Sequence, residues 1–191
     1  PASISSIEGA GILTKKGDGK LTLTAKNDSL KGGIAVEQGT LSISEDQQLG
    51  SESAVLTLKN NTTSTTTLEV TKEAILNHNV VLAGGDITLD HAAHNVSISQ
   101  IVSGSGGLIK AGTGVLALNT ANTYTGGTTV KAGQVSIGND AALGTGAVTF
   151  ASDTILNTLA AVNLTNNVQL SSGNIILMNN DKNSTLNLKG A

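Results

Sequence analysis

The strongest constraint in this sequence is that it contains itself twice. Residues 9–23 read GAGILTKKGDGKLTL and residues 104–118 read GSGGLIKAGTGVLAL. At a shift of 95 they share Gly9/Gly104, Gly11/Gly106, Leu13/Leu108, Lys15/Lys110, Gly17/Gly112, Gly19/Gly114, Leu21/Leu116 and Leu23/Leu118. After a one-residue insertion, KGGIAVEQGTLSI (31–43) parallels TGGTTVKAGQVSI (125–137), and Asp46 and Leu49-Gly50 fall opposite Asp140 and Leu143-Gly144. NHNVVLAGGDITL (77–89) parallels TNNVQLSSGNIIL (165–177), and ISSI (4–7) parallels ISQI (98–101). The expected organisation is a single domain of two units of about 94 residues, 4–97 and 98–191, with no linker between them.

Within each unit the texture is of short alternating strands. Leu21-Thr22-Leu23, Leu41-Ser42-Ile43, Val55–Leu58, Ile87-Thr88-Leu89, Val96-Ser97-Ile98 and Leu116-Ala117-Leu118 put aliphatics on one face and mostly Thr or Ser on the other. Gly-Gly, Gly-Asn and Asn-Asn pairs separate them as tight turns. Residues 71–77 are the only helix-like stretch, and a short one. With one Phe, one Tyr and no Trp, the core volume must come from Leu, Ile, Val and Ala. Small aliphatics suit a narrow, repetitive stack better than an irregular core built on aromatic anchors. The fold these features predict is all-β: a right-handed single-stranded parallel β-helix, or β-solenoid, of about 8–10 coils. Each coil takes roughly 20 residues and rises about 4.8 Å, giving a rod about 40–45 Å long.

Charge and cysteine content narrow the function. All eleven basic residues are Lys, scattered along the chain against fourteen acidic residues, for a net charge of −3. Without Arg and without a basic stripe, nucleic acid is not an expected partner. The absence of Cys removes disulfides, thiol catalysis and thiolate metal sites, and suits a chain that must cross membranes unfolded. No 18-residue apolar run spans a membrane as a helix. Pro1-Ala2-Ser3 is followed by no basic or apolar leader, and a bare solenoid coil exposes a strand edge. The expectation is therefore an excised segment that continues in both directions.

The segment 103–150 resembles the passenger-associated transport repeat of bacterial autotransporters. Gly104, Gly106, Gly107, Leu108, Lys110, Gly112, Gly114, Leu116 and Leu118 fit its first block. Asn122, Tyr124, Gly126, Gly127, Thr128, Val130 and Gly133 fit its second, with Val135 where Leu is usual. Residues 9–50 form a degenerate copy with Ile12 in place of the second paired Gly and Ser29-Leu30 in place of the Tyr-containing turn. The resemblance implies an extracellular passenger displayed at the bacterial surface, exported through its own C-terminal outer-membrane β-barrel and folded outside. In such proteins this repeat assists secretion and folding.

The constellations that could carry chemistry read as turns. His91-Ala92-Ala93-His94, near Asp86 and Asp90, suggests a metal site, but residues three apart in a strand face opposite ways, so a solvated turn is expected. No glycine string matches a phosphate-binding loop. Asp18, Asp28, Asp46, Asp86, Asp140, Asp153 and Asp181 fall mostly at turns, where Asp bonds its own backbone. The run Thr62, Thr63, Thr65, Thr66 and Thr67 reads as an exposed β-rich insertion. No catalytic residue, metal or cofactor is expected. The function expected is adhesion to host or neighbouring cells through unknown surface or matrix molecules, together with assistance to the chain's own secretion and folding. The candidate contact loops are 28–31, 45–53, 59–72 and 90–95. The alternatives are an inert stalk for activities elsewhere in the passenger, and a β-helical polysaccharide-degrading enzyme.

Overall fold

A computed structural model describes residues 1–61, 65–171, 173–179 and 186–188. Thr62, Thr63 and Asp181 lie outside them. Every strand pairing is parallel, and the strands are three to six residues long. The alternation read from the sequence sets their faces: in Ile87–Asp90, Ile87 and Leu89 are buried while Thr88 and Asp90 are partly exposed.

Three main sheets form the sides of a solenoid, and Val162–Leu164 with Leu186–Leu188 makes a further two-stranded sheet. The nine-stranded sheet stacks Ala2–Ile4, Lys20–Leu23, Gly39–Ile43, Thr66–Val70, Ile87–Asp90, Leu108–Ala111, Thr128–Val130, Val148–Phe150 and Val168–Leu170. The six-stranded sheet stacks Ala74–Leu76, Val96–Ile98, Val115–Leu118, Gln134–Ile137, Thr154–Thr158 and Ile175–Asn179. The five-stranded sheet holds Leu13–Lys15, Ile34–Val36, Val55–Asn60, Asn79–Gly84 and Val102–Gly104. The chain visits the nine-, six- and five-stranded sides in that order, making about eight turns. At about 4.8 Å per coil the nine-stranded sheet extends roughly 38 Å along the axis. The boundary expected at 97/98 falls inside strand Val96–Ile98.

Register gives the coil length. Leu21 pairs with Leu41 (20 residues), Leu41 with Leu68 (27), Leu68 with Leu89 and Leu89 with Lys110 (21 each), and Lys110, Val130, Phe150 and Leu170 follow at 20. The long coil carries the Thr run. Thr66 Oγ donates to the Lys59 carbonyl across its base. The exposed insertion expected there is shorter than its sequence: Thr66 and Thr67 already belong to strand Thr66–Val70, and Thr66 is fully buried. Residues 71–77 hold a strand, Ala74–Leu76, rather than a helix, because parallel pairing with Val96–Ile98 buries Leu76 and overrides a weak local preference.

The core is a set of aliphatic ladders, such as Val36–Leu58–Leu82 and Leu116–Val135–Leu156, each step one coil. Each buried Leu contributes about 1.5–3 kcal/mol relative to exposure. Tyr124 and Phe150, the only aromatics, are both buried in the second half.

The two copies of the repeat do not occupy the same sides of the solenoid. Leu13–Lys15 and Lys20–Leu23 lie in the five- and nine-stranded sheets, whereas their counterparts Leu108–Ala111 and Val115–Leu118 lie in the nine- and six-stranded sheets. The same offset separates Ile34–Val36 from Thr128–Val130 and Gly39–Ile43 from Gln134–Ile137. With coils of 20, 21 and 27 residues, a shift of 95 amounts to four turns and one further side.

Candidate functional site

The motif lysines point inward. Lys110 stands in the nine-stranded ladder between Leu89 and Val130 and is fully buried. Its Nζ donates to the carbonyls of Gly112 (2.8 Å) and Ala132 (2.9 Å), one on its own coil and one on the next. Burial holds its pKa down at about 8, with the Asp90 charge pulling the other way. Lys15 repeats the arrangement on the five-stranded side, donating to Gly17 (2.6 Å) and Gln38 (2.8 Å) carbonyls. Burial lowers its pKa too, opposed by Asp18. Both acceptors two residues downstream are glycines with positive φ, +85° at Gly112 and +78° at Gly17. That backbone, which L side chains rarely adopt, turns the carbonyl toward the ammonium and accounts for the Lys-x-Gly spacing.

Asn122 clamps three coils. Its Oδ1 accepts the Val102 N–H (2.8 Å) and its Nδ2 donates to the Ala142 carbonyl (2.7 Å), twenty residues behind and ahead. Tyr124 is buried beside it and its hydroxyl donates to Thr128 Oγ (2.5 Å), which donates in turn to the Leu143 carbonyl (3.0 Å). Burial pushes the Tyr124 pKa up. The first copy holds the same clamp at Asn27, between the Ile7 N–H and the Gln48 carbonyl, both 2.8 Å. Sequence reading missed it by assigning this turn to Ser29-Leu30. The signal was present, since Asn27 precedes Asn122 by the same 95 residues and the insertion falls after it. Leu30 fills the buried place of Tyr124.

The motif glycines bring coils into backbone contact. Gly104, Gly106, Gly107, Gly126 and Gly127 lie at the corner between the five- and nine-stranded sides. A Cβ on Gly126 would overlap the backbone of Gly106 and Gly107, and one on Gly106 would meet the Gly85 carbonyl. Gly112, Gly114 and Gly133 form the next corner, Gly133 lying over Thr113 and Gly114. Leu108, Leu116, Leu118 and Val130 are buried ladder positions. Ile12, where a second glycine was expected, is 66 % exposed and needs no such contact.

The histidines depart from expectation. His91 is not solvated but fully buried, because the alternation that turns Ile87 and Leu89 inward continues through it. Its Nδ1 donates to the His94 carbonyl (2.6 Å), so His94 closes the turn with its backbone. His91 Nε2 has no hydrogen-bond partner among the described residues. Burial lowers the His91 pKa, reinforced by the Lys110 charge. Among the described residues, no group of three or more His, Asp or Glu is placed to hold a metal. A second buried histidine went unread in the sequence: His78, 1 % exposed, lies against Asp46.

The candidate loops are also less open than expected. In 28–31 Leu30 is buried. In 45–53 Asp46–Leu49 forms a 3-10 turn with Asp46, Gln48 and Leu49 buried. Their exposed tips are Asp28, Ser29, Lys31, Gln47, Glu52 and Ser53. On the nine-stranded face Lys20 pairs with Glu69 (2.7 Å), which also accepts from Ser42 (2.5 Å). An open trough on the six-stranded face is lined by Ile75, Ser97, Val115 and Ala117.

The passenger-associated transport repeat family matches residues 13–43 and 108–137. Over 139 residues, 72 % of the chain, the sequence is 34 % identical to the adhesin BmaC autotransporter of Brucella suis biovar 1 (strain 1330), and the match spans 4 % of that protein's length. No solved structure matches the chain.

Proposed function

We propose that this chain, a passenger segment of the autotransporter type with two passenger-associated transport repeats, is a non-enzymatic part of a surface adhesin that also assists its own secretion and folding. The observation that carries the adhesive reading is the 34 % identity, across 72 % of the chain, to a protein named an adhesin. The partners are host or bacterial surface or matrix molecules. They meet exposed loop tips and flat sheet faces rather than a deep pocket. The chain sits outside the cell, tethered through a C-terminal outer-membrane barrel. The two units, 4–97 and 98–191, act as one domain.

The folding role follows from how coils join. Each coil is held by the coil before it through backbone ladders, Lys15 and Lys110, and Asn27 and Asn122. Such a stack can grow one coil at a time from whichever end forms first. The motif residues Gly104 to Gly133 serve this purpose as coil-to-coil fasteners, with no catalytic role.

The test is attachment. Beads coated with the 191-residue chain are compared with uncoated beads on cultured host cells and purified matrix. Saturable binding, competed by free chain, is the expected result. The second reading, a stalk, draws on the 4 % of the relative's length that the match covers, which leaves ample room for a binding domain elsewhere. No bead binding, with adhesion of the full-length protein lost only when other segments are deleted, would favour the stalk. Release of sugars from acidic polysaccharides would overturn both.

A further inference from the structure

His78 sits at the corner where the 3-10 turn Asp46–Leu49 meets the next coil, 1 % exposed. Both ring nitrogens face acceptors. Nδ1 is 2.8 Å from Asp46 Oδ1 and Nε2 is 3.0 Å from the Ser51 carbonyl. A neutral imidazole has one N–H and one lone pair, so it would set that lone pair against an oxygen in this pocket. Only the imidazolium donates to both. Asp46 Oδ1 also accepts the Asn77 N–H (2.8 Å), so a single carboxylate oxygen joins the turn to two consecutive residues of the following coil.

The charged surroundings are few. Asp46 is the charged group that acts on His78. The Gly50 and Ser51 backbone adds hydrogen bonds. On the adjoining surface stand Glu52 and the neutral Asn77, Asn79 and Gln100. In the second half the matching stretch puts Asn166 where His78 stands. Asn166 Nδ2 donates to the Gly144 and Gly146 carbonyls (2.9 and 2.7 Å). Two copies of one corner are thus tied from the same place, one by a group that titrates and one by a group that cannot.

We propose that His78 is a proton-operated latch: its imidazolium ties the 46–51 corner to the next coil, and loss of the proton releases that corner while the rest of the solenoid stays folded. The latch stands independently of what the surface binds. The direction is set by linkage. Burial alone would lower the His78 pKa, but the Asp46 hydrogen bond and charge, together with the Ser51 and Gly50 backbone, outweigh it and the net shift is upward. A raised folded-state pKa contributes stability that is complete below the ordinary histidine value near 6.5 and is lost as pH rises through the folded value. The corner is therefore shut in mildly acidic medium and loosens as the pH rises through the folded-state value.

Hydrogen–deuterium exchange of the whole chain, read on peptides spanning 44–54 and corrected for intrinsic rates, tests this at pH 6 and pH 9. Wild type should lose protection at 44–54 at pH 9, about tenfold for each unit by which the pKa is raised, since one unit is a factor of ten in the coupled equilibrium. Peptides over 140–150 should hold theirs. His78→Asn, which places at this corner the residue found at Asn166, should give the same protection at both pH values. Equal protection of wild type at both pH values, or the same alkaline loss in His78→Asn, overturns the latch. If His78→Asn does not fold, the wild-type His78 resonances titrated by NMR decide it: a pKa at or below about 6.5 overturns the proposal and a higher one supports it.

Discussion

Asn27 and Asn122 make the same two hydrogen bonds on different sides of the solenoid. Each accepts a backbone N–H from the coil behind, Ile7 or Val102, and donates to a backbone carbonyl of the coil ahead, Gln48 or Ala142. Asn27 lies between strands of the nine- and five-stranded sheets, and Asn122 between strands of the six- and nine-stranded sheets. The clamp thus belongs to the repeat and not to a particular face.

Removing it has a definite cost. Asn122→Ala leaves a buried N–H and a buried carbonyl without partners, at about 1–3 kcal/mol each, so a loss of about 2–6 kcal/mol is expected. Asn27→Ala should cost less, about 1–2 kcal/mol, because the Ile7 N–H it serves is only part-buried. Urea midpoints of the two variants check this, and a neutral Asn27→Ala would deny the equivalence.

One repeat position should give opposite answers in its two copies. A Cβ on Gly114 overlaps the backbone of Ala93 and His94, while Gly19, its partner at a shift of 95, has nothing within 4 Å and lies outside the left-handed region. Gly114→Ala should destabilise by about 3 kcal/mol or more through enforced backbone movement. Gly19→Ala should be neutral or stabilise by up to about 1 kcal/mol by restricting the unfolded chain. Thermal melts of both variants distinguish the outcomes.

Lys110 makes an alkaline prediction. Its folded pKa is about 8 against the ordinary 10.5. Between those values the unfolded chain binds more protons, so its contribution to stability rises with pH. The useful window is about pH 8–10, since Tyr124, whose pKa burial raises, begins to oppose it above the ordinary tyrosine value near 10. Lys110→Met keeps the stem in the ladder and should flatten the rise. An unchanged slope of urea midpoint against pH would show that Lys110 is not its source.

His91 makes the acid counterpart. Its folded pKa is lowered, so the stability it contributes is complete above about 6.5 and is lost as pH falls through the folded value. Going from pH 7 to pH 5 should therefore cost wild type more urea midpoint than it costs His91→Gln, since the opposing contribution of His78 is common to both. Glu69, held low by Lys20 and Ser42, gives up its contribution only below its ordinary value near 4.5 and so stays outside this window. An equal cost in His91→Gln would exclude the histidine.

The ladders were legible because alternation is a local property: Leu21-Thr22-Leu23 states its own inside and outside. The same alternation carries Lys110 and His91 inward, yet both are polar, and polar character invites a surface assignment until the carbonyls of Gly112, Ala132 and His94 are seen to receive them. The side of the solenoid on which a strand falls was not legible. It depends on the running total of coil lengths, and one 27-residue coil between Leu41 and Leu68 displaces everything after it. His78 and Asp46 are 32 residues apart and meet only because of that total.

The offset of one side between Leu13–Lys15 and Leu108–Ala111 governs what duplication achieves in such a rod. Were every coil copied along with it, a third unit would be turned by the same step again, and a fourth would face the way of the first. A given tip, such as the one bearing Asp28 and Ser29, would then wind around the shaft like a thread. A neighbour approaching from any quarter would meet some copy of it, and lengthening the shaft would widen the arc of display as well as the reach.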